Sequence, residues 1–316
     1  MKNAPRISVV TPTYNSAAYL AATVESIRAQ TFGDWELVLF DDGSSDGSVG
    51  VSEEFARQDS RIRAMIGNHG GISLTRNRGF QETLPESEFV TFLDSDDTWE
   101  PEALALLVDA LERHPECPAA YGLARAVDAE GRQFAGDDLM ESMRHRREIR
   151  GGRYVDLPVS APTSFQAELV KNCVVTPGTS LVRRRVIESL GGFAPTTDPC
   201  EDWDMNLRIA RHGGFFLVDQ VVLNWRRHPG SISSTAGNRW RRAQLAVWKR
   251  AIESEENTPE QCKAAEFALL GRCRESLADA GREFSHGHVR SAGQAMMYVL
   301  LYYSVYFRSY RVNRRR

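Results

Sequence analysis

Asp94, Asp96 and Asp97 stand directly after the apolar run Phe89-Val90-Thr91-Phe92-Leu93. Such a run reads as a buried strand, so the three carboxylates leave the sheet together at its C-terminal end. In an open α/β sheet that edge is where ligands bind. Crowded carboxylates repel unless a proton or cation offsets them, and hard divalent cations favour oxygen ligands. The chemistry suggested is a metal ion bridging the cluster to a diphosphate. A plainer reading competes: Thr98 as an N-cap and Pro101 near the start of a helix carrying Leu104, Leu107, Val108 and Leu111. Capping accounts for Thr98 and Asp97 but leaves Asp94 and Asp96 without a task.

Alternating strands and helices must position these acids. Ile7 to Thr11 forms a first strand, and Asn15 or Ser16 can cap a helix with Leu20, Val24 and Ile27 on one face. Trp35 to Phe40 gives a second strand, ending at Asp41-Asp42-Gly43. A helix near Val49 to Gln58, a strand near Ile62 to Ile66 and a helix from about Ile72 to Thr83 complete the approach to the acidic turn. Repeated β-α-β units predict a mainly parallel, Rossmann-like α/β sheet with helices on both faces. Beyond it, Ala119 to Val127 reads as a strand, and residues 137 to 172 lack a clean period. Helices are expected at Arg183 to Leu190 and Asp202 to Arg211, and two strands at Phe215 to Val218 and Val221 to Arg226. From about residue 238 the pattern is helical throughout: Trp240 to Ile252, Pro259 to Phe284 and His288 to Tyr310. The expected division is a catalytic unit over 1–237 and an all-α appendage over 238–316.

A chain of 316 residues can bury a sizeable core, and 42% hydrophobic with 26% charged residues is ordinary for a globular protein. A formal net charge of −3 argues against a general nucleic-acid binder. The five cysteines are odd in number and widely spaced, which suggests neither a zinc site nor a disulfide framework and fits a reducing cytoplasm. Met1-Lys2-Asn3-Ala4-Pro5-Arg6 lacks the apolar region of a signal peptide.

Three polar turns fall at one sheet edge: Thr11-Pro12-Thr13-Tyr14-Asn15, Asp41-Asp42-Gly43-Ser44-Ser45-Asp46-Gly47 and Asp94-Ser95-Asp96-Asp97. Further segments follow in order. They are Asn68-His69-Gly70-Gly71 leading to Arg76-Asn77-Arg78-Gly79, then Gly191-Gly192-Phe193 with Glu201-Asp202-Trp203-Asp204, then Trp225-Arg226-Arg227-His228. This ordered set resembles a family-2 glycosyltransferase of the GT-A fold, inverting enzymes that use nucleotide-diphospho-sugars. The resemblance spans about residues 5 to 235. One departure is Gly71-Ile72-Ser73-Leu74-Thr75, where small residues are commoner before the Arg-Asn pair. Another is Lys171 to Pro177, which falls in a segment that varies widely.

Carried onto this sequence, the resemblance implies that Pro12 and Tyr14 border the nucleotide base and that Asp42 accepts hydrogen bonds from it. Arg76 would lie near the nucleotide, and Asp94 in the ribose or metal region. Asp96 would ligate Mn²⁺ or Mg²⁺, with His228 completing the metal or diphosphate environment. Asp202 takes the place of the general base, which removes the proton of a sugar hydroxyl as it attacks. The competing reading of Glu201 and Asp202 is simple charge complementarity with a helix N-terminus. Trp203 and Trp225 are candidates for the sugar pocket or for core packing.

The implied donor is a nucleotide sugar, and the acceptor a glycan, glycolipid or protein of the cell surface. Two other readings remain at this level: a sugar nucleotidyltransferase, whose Gly-rich cationic first loop is missing here, and a non-catalytic sugar-nucleotide scaffold. The last helix carries an apolar and aromatic run from Met296 to Phe307, followed by Arg308, Arg311, Arg314, Arg315 and Arg316. Too short to span a bilayer, it suits either peripheral contact with the inner face of the membrane or docking on protein.

Overall fold

The computed structural model describes residues 4–235, 238–286 and 288–313. The first half runs β1 (Ile7–Thr13), α1 (Ala17–Arg28), β2 (Trp35–Asp41), α2 (Ser48–Gln58), β3 (Ile62–Ile66), α3 (Ile72–Gln81), β4 (Phe89–Phe92), β5 (Thr98–Trp99), α4 (Ala103–Arg113) and β6 (Ala119–Val127). The weakly patterned middle folds into α5 (Leu139–Arg144), a hairpin of β7 (Arg147–Arg150) and β8 (Arg153–Asp156), and α6 (Phe165–Val170). Then follow β9 (Ser180–Arg183), α7 (Arg184–Leu190), α8 (Glu201–Ala210), β10 (Phe215–Arg226) and α9 (Ile232–Thr235). Three long helices close the chain: α10 (Asn238–Glu253), α11 (Pro259–Ser285) and α12 (Val289–Asn313). The expected boundary at residue 237 and the arginines at 314–316 lie outside the described residues, as do residues 1–3.

The main sheet has eight strands in the order β3-β2-β1-β4-β9-β6-β10-β5. Its core is parallel where β-α-β units build it: β2 with β3, β1 with β2 and β4, and β6 with β10. All seven residues of β1 and of β2 are buried, mostly apolar ones, and the buried Ser8 of β1 donates to Glu36 of β2 at 2.6 Å. Leu20, Val24 and Ile27 of α1 are buried on the same core, as their spacing predicts.

Three sequence expectations change. Thr98 is no helix cap: Thr98 and Trp99 pair antiparallel with Asn224 and Leu223, and α4 begins only at Ala103. Its first-turn amide at Leu104 donates instead to Gln30 Oε1 at the end of α1, 3.0 Å away. Residues 215–226 form one strand rather than two, with register shifts that leave Asp219 and Gln220 exposed. Four residues, Ser180–Arg183, insert as β9 between β4 and β6, antiparallel to both.

The helical end packs onto this unit. Trp248 of α10 meets Trp203 of α8 edge-on, with ring centroids 5.8 Å apart. Asp204 of α8 accepts from Arg208 at 2.9 Å and from Arg250 of α10 at 2.7 Å. α11 starts on a reciprocal capping box between Thr258 and Gln261, with Pro259 in the first turn.

Candidate active site

The turn after β1 and the turn after β2 are sewn together. Asn15 adopts φ 47°, which an Asn tolerates better than most residues, and its Oδ1 accepts from Ser45 N at 2.9 Å. The backbone amides of Asn15 and Ser16 donate to Ser44 and Ser48 Oγ, both at 2.9 Å. Neither Asn15 nor Ser16 caps α1 through its side chain. Asp46 does so from the neighbouring turn, its Oδ2 accepting from Ala17 N at 3.0 Å.

The paired acids Asp41 and Asp42 divide their work. Asp41 folds its own turn, accepting from the amides of Gly43 and Ser44. Asp42 reaches the loop before α3, accepting from Gly70 N at 2.8 Å and Gly71 N at 2.9 Å, with His69 Nδ1 2.9 Å away. The His69 ring lies 4.5 Å from that of half-exposed Tyr14. Pro12, Tyr14, Asp42 and His69 thus share one end of a cleft of about 470 Å³. The sequence reading gave His69 no role. Its only signal was its place beside Gly70.

Arg76 is buried on α3 and bridges two elements. Its Nη2 donates to Asp94 Oδ1 at 2.6 Å, and its Nη1 to Glu201. Burial alone would lower its pKa, but Asp94 and Glu201 hold it above the ordinary value. The next residue, Asn77, clamps the segment before α8: it accepts from Phe193 N at 2.7 Å and donates to Phe193 O at 2.9 Å. Gly192 passes so close, at φ 86°, that a Cβ there would sit 2.4 Å from Asn77 Oδ1. The Arg-Asn pair therefore fixes the acidic turn on one side and the start of α8 on the other.

The acidic turn separates three roles. Asp97 is fully buried and accepts from Arg226 N at 2.8 Å, while the carbonyls of Ser95 and Asp97 accept from Thr23 Oγ1. Burial, then the charges of Asp96 and Asp94, raise its pKa well above the carboxylate range. Asp94 faces the cleft beside Arg76. Asp96 lies 2.9 Å from His228 Nε2, and the His228 ring packs 4.6 Å from Tyr19. Arg226 Nε donates to Asp96 O at 2.8 Å, tying the end of β10 to this turn. No group of three or more His, Cys, Asp or Glu side chains able to hold a metal occurs among the described residues.

Across the cleft, Asp202 stands in the first turn of α8. Burial, then the adjacent charge of Glu201, push its carboxyl up to about 8, with Arg76 opposing. A helix N-terminus normally favours an anion, so desolvation outweighs the dipole here. Trp225 lines the cleft, whereas Trp203 is buried and donates from Nε1 to Glu168 O at 2.8 Å. All eight residues singled out above, Pro12, Tyr14, Asp42, Arg76, Asp94, Asp96, Asp202 and His228, line this one cleft.

Residues 8–191 match the family model described as Glycosyl transferase family 2. The chain belongs to that family. Asp202 and His228 lie beyond the matched residues, so their membership of the site rests on the geometry above. Among family relatives, TuaG of Bacillus subtilis (strain 168), provisionally named as a teichuronic acid biosynthesis glycosyltransferase, is 34% identical over 76% of this chain and 85% of its own. The chain spans only 26% and 28% of two other curated relatives. The fold is GT-A type. Staphylococcus aureus TarS 1-349 in complex with UDP-GlcNAc superposes with a TM-score of 0.61 at 16% identity, over 98% of this chain and 92% of that one. The Pyrobaculum calidifontis mannosyltransferase PcManGT, in complex with GDP-Man and Mn2+, gives 0.55 at 18%, over 99% and 88%.

Proposed function

We propose that this glycosyltransferase is a metal-dependent, inverting enzyme that moves a sugar from a nucleotide-diphospho-sugar to an acceptor hydroxyl. The observation that carries this reading is the separation of two carboxylate sites in one cleft. Asp96 with His228 stands on the β4–β10 side and Asp202 on α8, with Arg76 linked to an acid on each side. The Tyr14, Asp42 and His69 end suits a nucleotide base, and complexes of TarS with UDP-GlcNAc and of PcManGT with GDP-Man support a donor of this class.

The donor set also fits a divalent cation. Mg²⁺ is commonly held by one or two carboxylates with substrate phosphates filling the shell, so Asp96 would hold the cation without a group of three protein ligands. His228, 2.9 Å from Asp96, would complete the metal or diphosphate environment. A cation bound there supplies Lewis-acid neutralisation of the diphosphate as it departs. The chain's own step is at Asp202. Its carboxylate takes the acceptor hydroxyl proton while the oxygen bonds to the anomeric carbon. The bond from that carbon to the diphosphate oxygen breaks, and nucleoside diphosphate leaves with the electron pair. Attack opposite the leaving group inverts the anomeric centre.

The proposed product is a surface polysaccharide, glycolipid or glycosylated surface protein, in keeping with the name given to TuaG. The proposed location is the cytoplasmic face of the membrane, peripheral rather than spanning. The test is a panel of nucleotide sugars with Mn²⁺, with and without saccharide acceptors, reading nucleoside diphosphate release. Release that depends on acceptor and metal is expected. Pyrophosphate release, or donor binding with no turnover on any acceptor, would overturn the proposal.

A further inference from the structure

The transferase reading leaves one exposed surface unused. Helix α12 is apolar on both sides. Tyr298, Val299, Tyr302 and Val305 are buried against the molecule, whereas Met296, Leu300, Tyr303 and Phe307 face solvent. Their spacing of four, three and four residues puts the exposed set on a single stripe opposite the packed face. Leu300 is 66% exposed and Phe307 59%, and exposed Val289 extends the stripe two turns toward the N-terminus. A contiguous exposed stripe of this kind marks an interaction surface.

Charge decides what covers it. Every charged residue from 290 onward is an arginine, six in all, and the last acid is Glu283. A second copy laid parallel on the same stripe would set the arginine-rich ends against each other. A surface of lipid phosphates attracts them instead, by roughly fivefold in partition for each arginine near it. The 25 residues of α12 extend about 37 Å. Yet no helix among the described residues is long and apolar enough to cross a membrane. An amphipathic geometry with aromatic side chains and a basic end suits a helix lying in the interface plane.

We infer that α12 is a docking face for an anionic lipid surface. The Met296, Leu300, Tyr303 and Phe307 stripe enters the headgroup boundary, and the arginine-rich end supplies the long-range attraction. This deepens, and rests on, the peripheral location proposed above.

The test sediments the full chain with phosphatidylcholine vesicles, with and without phosphatidylglycerol, at low and high salt. Binding should need phosphatidylglycerol and weaken with salt. Leu300→Glu with Phe307→Glu should weaken it at least about tenfold, given the cost of placing charge at an apolar boundary. Arg308→Gln with Arg311→Gln should weaken it roughly 25-fold and serves as the second variant if the first does not fold. Donor binding should be unchanged in both. Equal binding to neutral and anionic vesicles, or no loss in the variants, overturns the docking face. A dimer that Leu300→Glu dissociates assigns the stripe to a second copy and overturns it too. Failure to sediment with any vesicle sinks the peripheral location as well, while transfer in solution tests the catalytic reading separately.

Discussion

The surroundings of Asp202 predict how transfer depends on pH. Burial and the neighbouring Glu201 charge push its carboxyl to about 8. Only the ionised form can accept the hydroxyl proton, so a raised pKa moves the active form to higher pH. With a value of about 8, about one-tenth of the free enzyme is ionised at pH 7 and about half at pH 8. Because kcat/KM reports groups of the free enzyme, it should rise about tenfold from pH 6 to 7 and about fivefold from 7 to 8. The assay is initial nucleoside diphosphate release at subsaturating donor and fixed Mn²⁺, in overlapping buffers from pH 6 to 9. Glu201→Gln removes the second cause of the shift and leaves Arg76 less compensated, so the rising limb should move to lower pH. A flat profile, or a limb that Glu201→Gln leaves in place, would refute the reasoning. Stability runs the other way. A carboxyl with a raised folded pKa holds its proton more tightly when folded. Between the unfolded value, about 4, and the folded one, its contribution therefore falls as pH rises.

Other outcomes follow from single contacts. Asp202→Asn should keep donor affinity in a nucleoside diphosphate titration but lose about 10²-fold or more in transfer; full activity would reassign the base. Arg76→Ala leaves Glu201 and Asp94 without their buried partner. It should cost about 3 kcal/mol in urea unfolding, and a loss below about 1 kcal/mol would make the bridge incidental. Gly192→Ala drives a Cβ into Asn77 at a left-handed position, and should lower stability by about 1–3 kcal/mol. His228→Ala should raise the Mn²⁺ concentration for half-maximal activity by about tenfold or more, the loss typical even of outer-sphere partners. An unchanged metal requirement would remove His228 from the proposed site.

Periodicity and turn chemistry are local properties, and they suffice for much of this protein. The buried runs of β1, β2 and β4, the apolar faces of α1 and α4, and the polar turns after three strands are all legible from residue types alone. So is the meeting of those turns at one sheet edge, because right-handed β-α-β connections allow little else. What the sequence does not determine is who partners whom across distance. Thr98 has the side chain of an N-cap, yet the pairing of β5 with β10 claims it, and Gln30 serves α4 instead. Asn15 and Ser16 precede α1, yet the cap arrives from Asp46, 29 residues after Ala17. Strand β9 has only four residues, and is a strand through its antiparallel pairing with both β4 and β6.

The site divides in the same way. The resemblance carried by the ordered motifs named Asp42, Asp94, Asp96, Asp202 and His228, and all five line the cleft, but it passed over His69 and Asp198, which line it too. Tertiary structure alone decided that Arg76 is clamped between Asp94 and Glu201, that Asn77 holds the backbone ahead of α8, and that Asp97 is spent on Arg226. It also decided that desolvation overrides the helix dipole at Asp202. The reason is physical: a pKa and an ion pair depend on solvent exclusion and on neighbours within a few ångströms, and those neighbours in this site are up to 132 residues away in the chain.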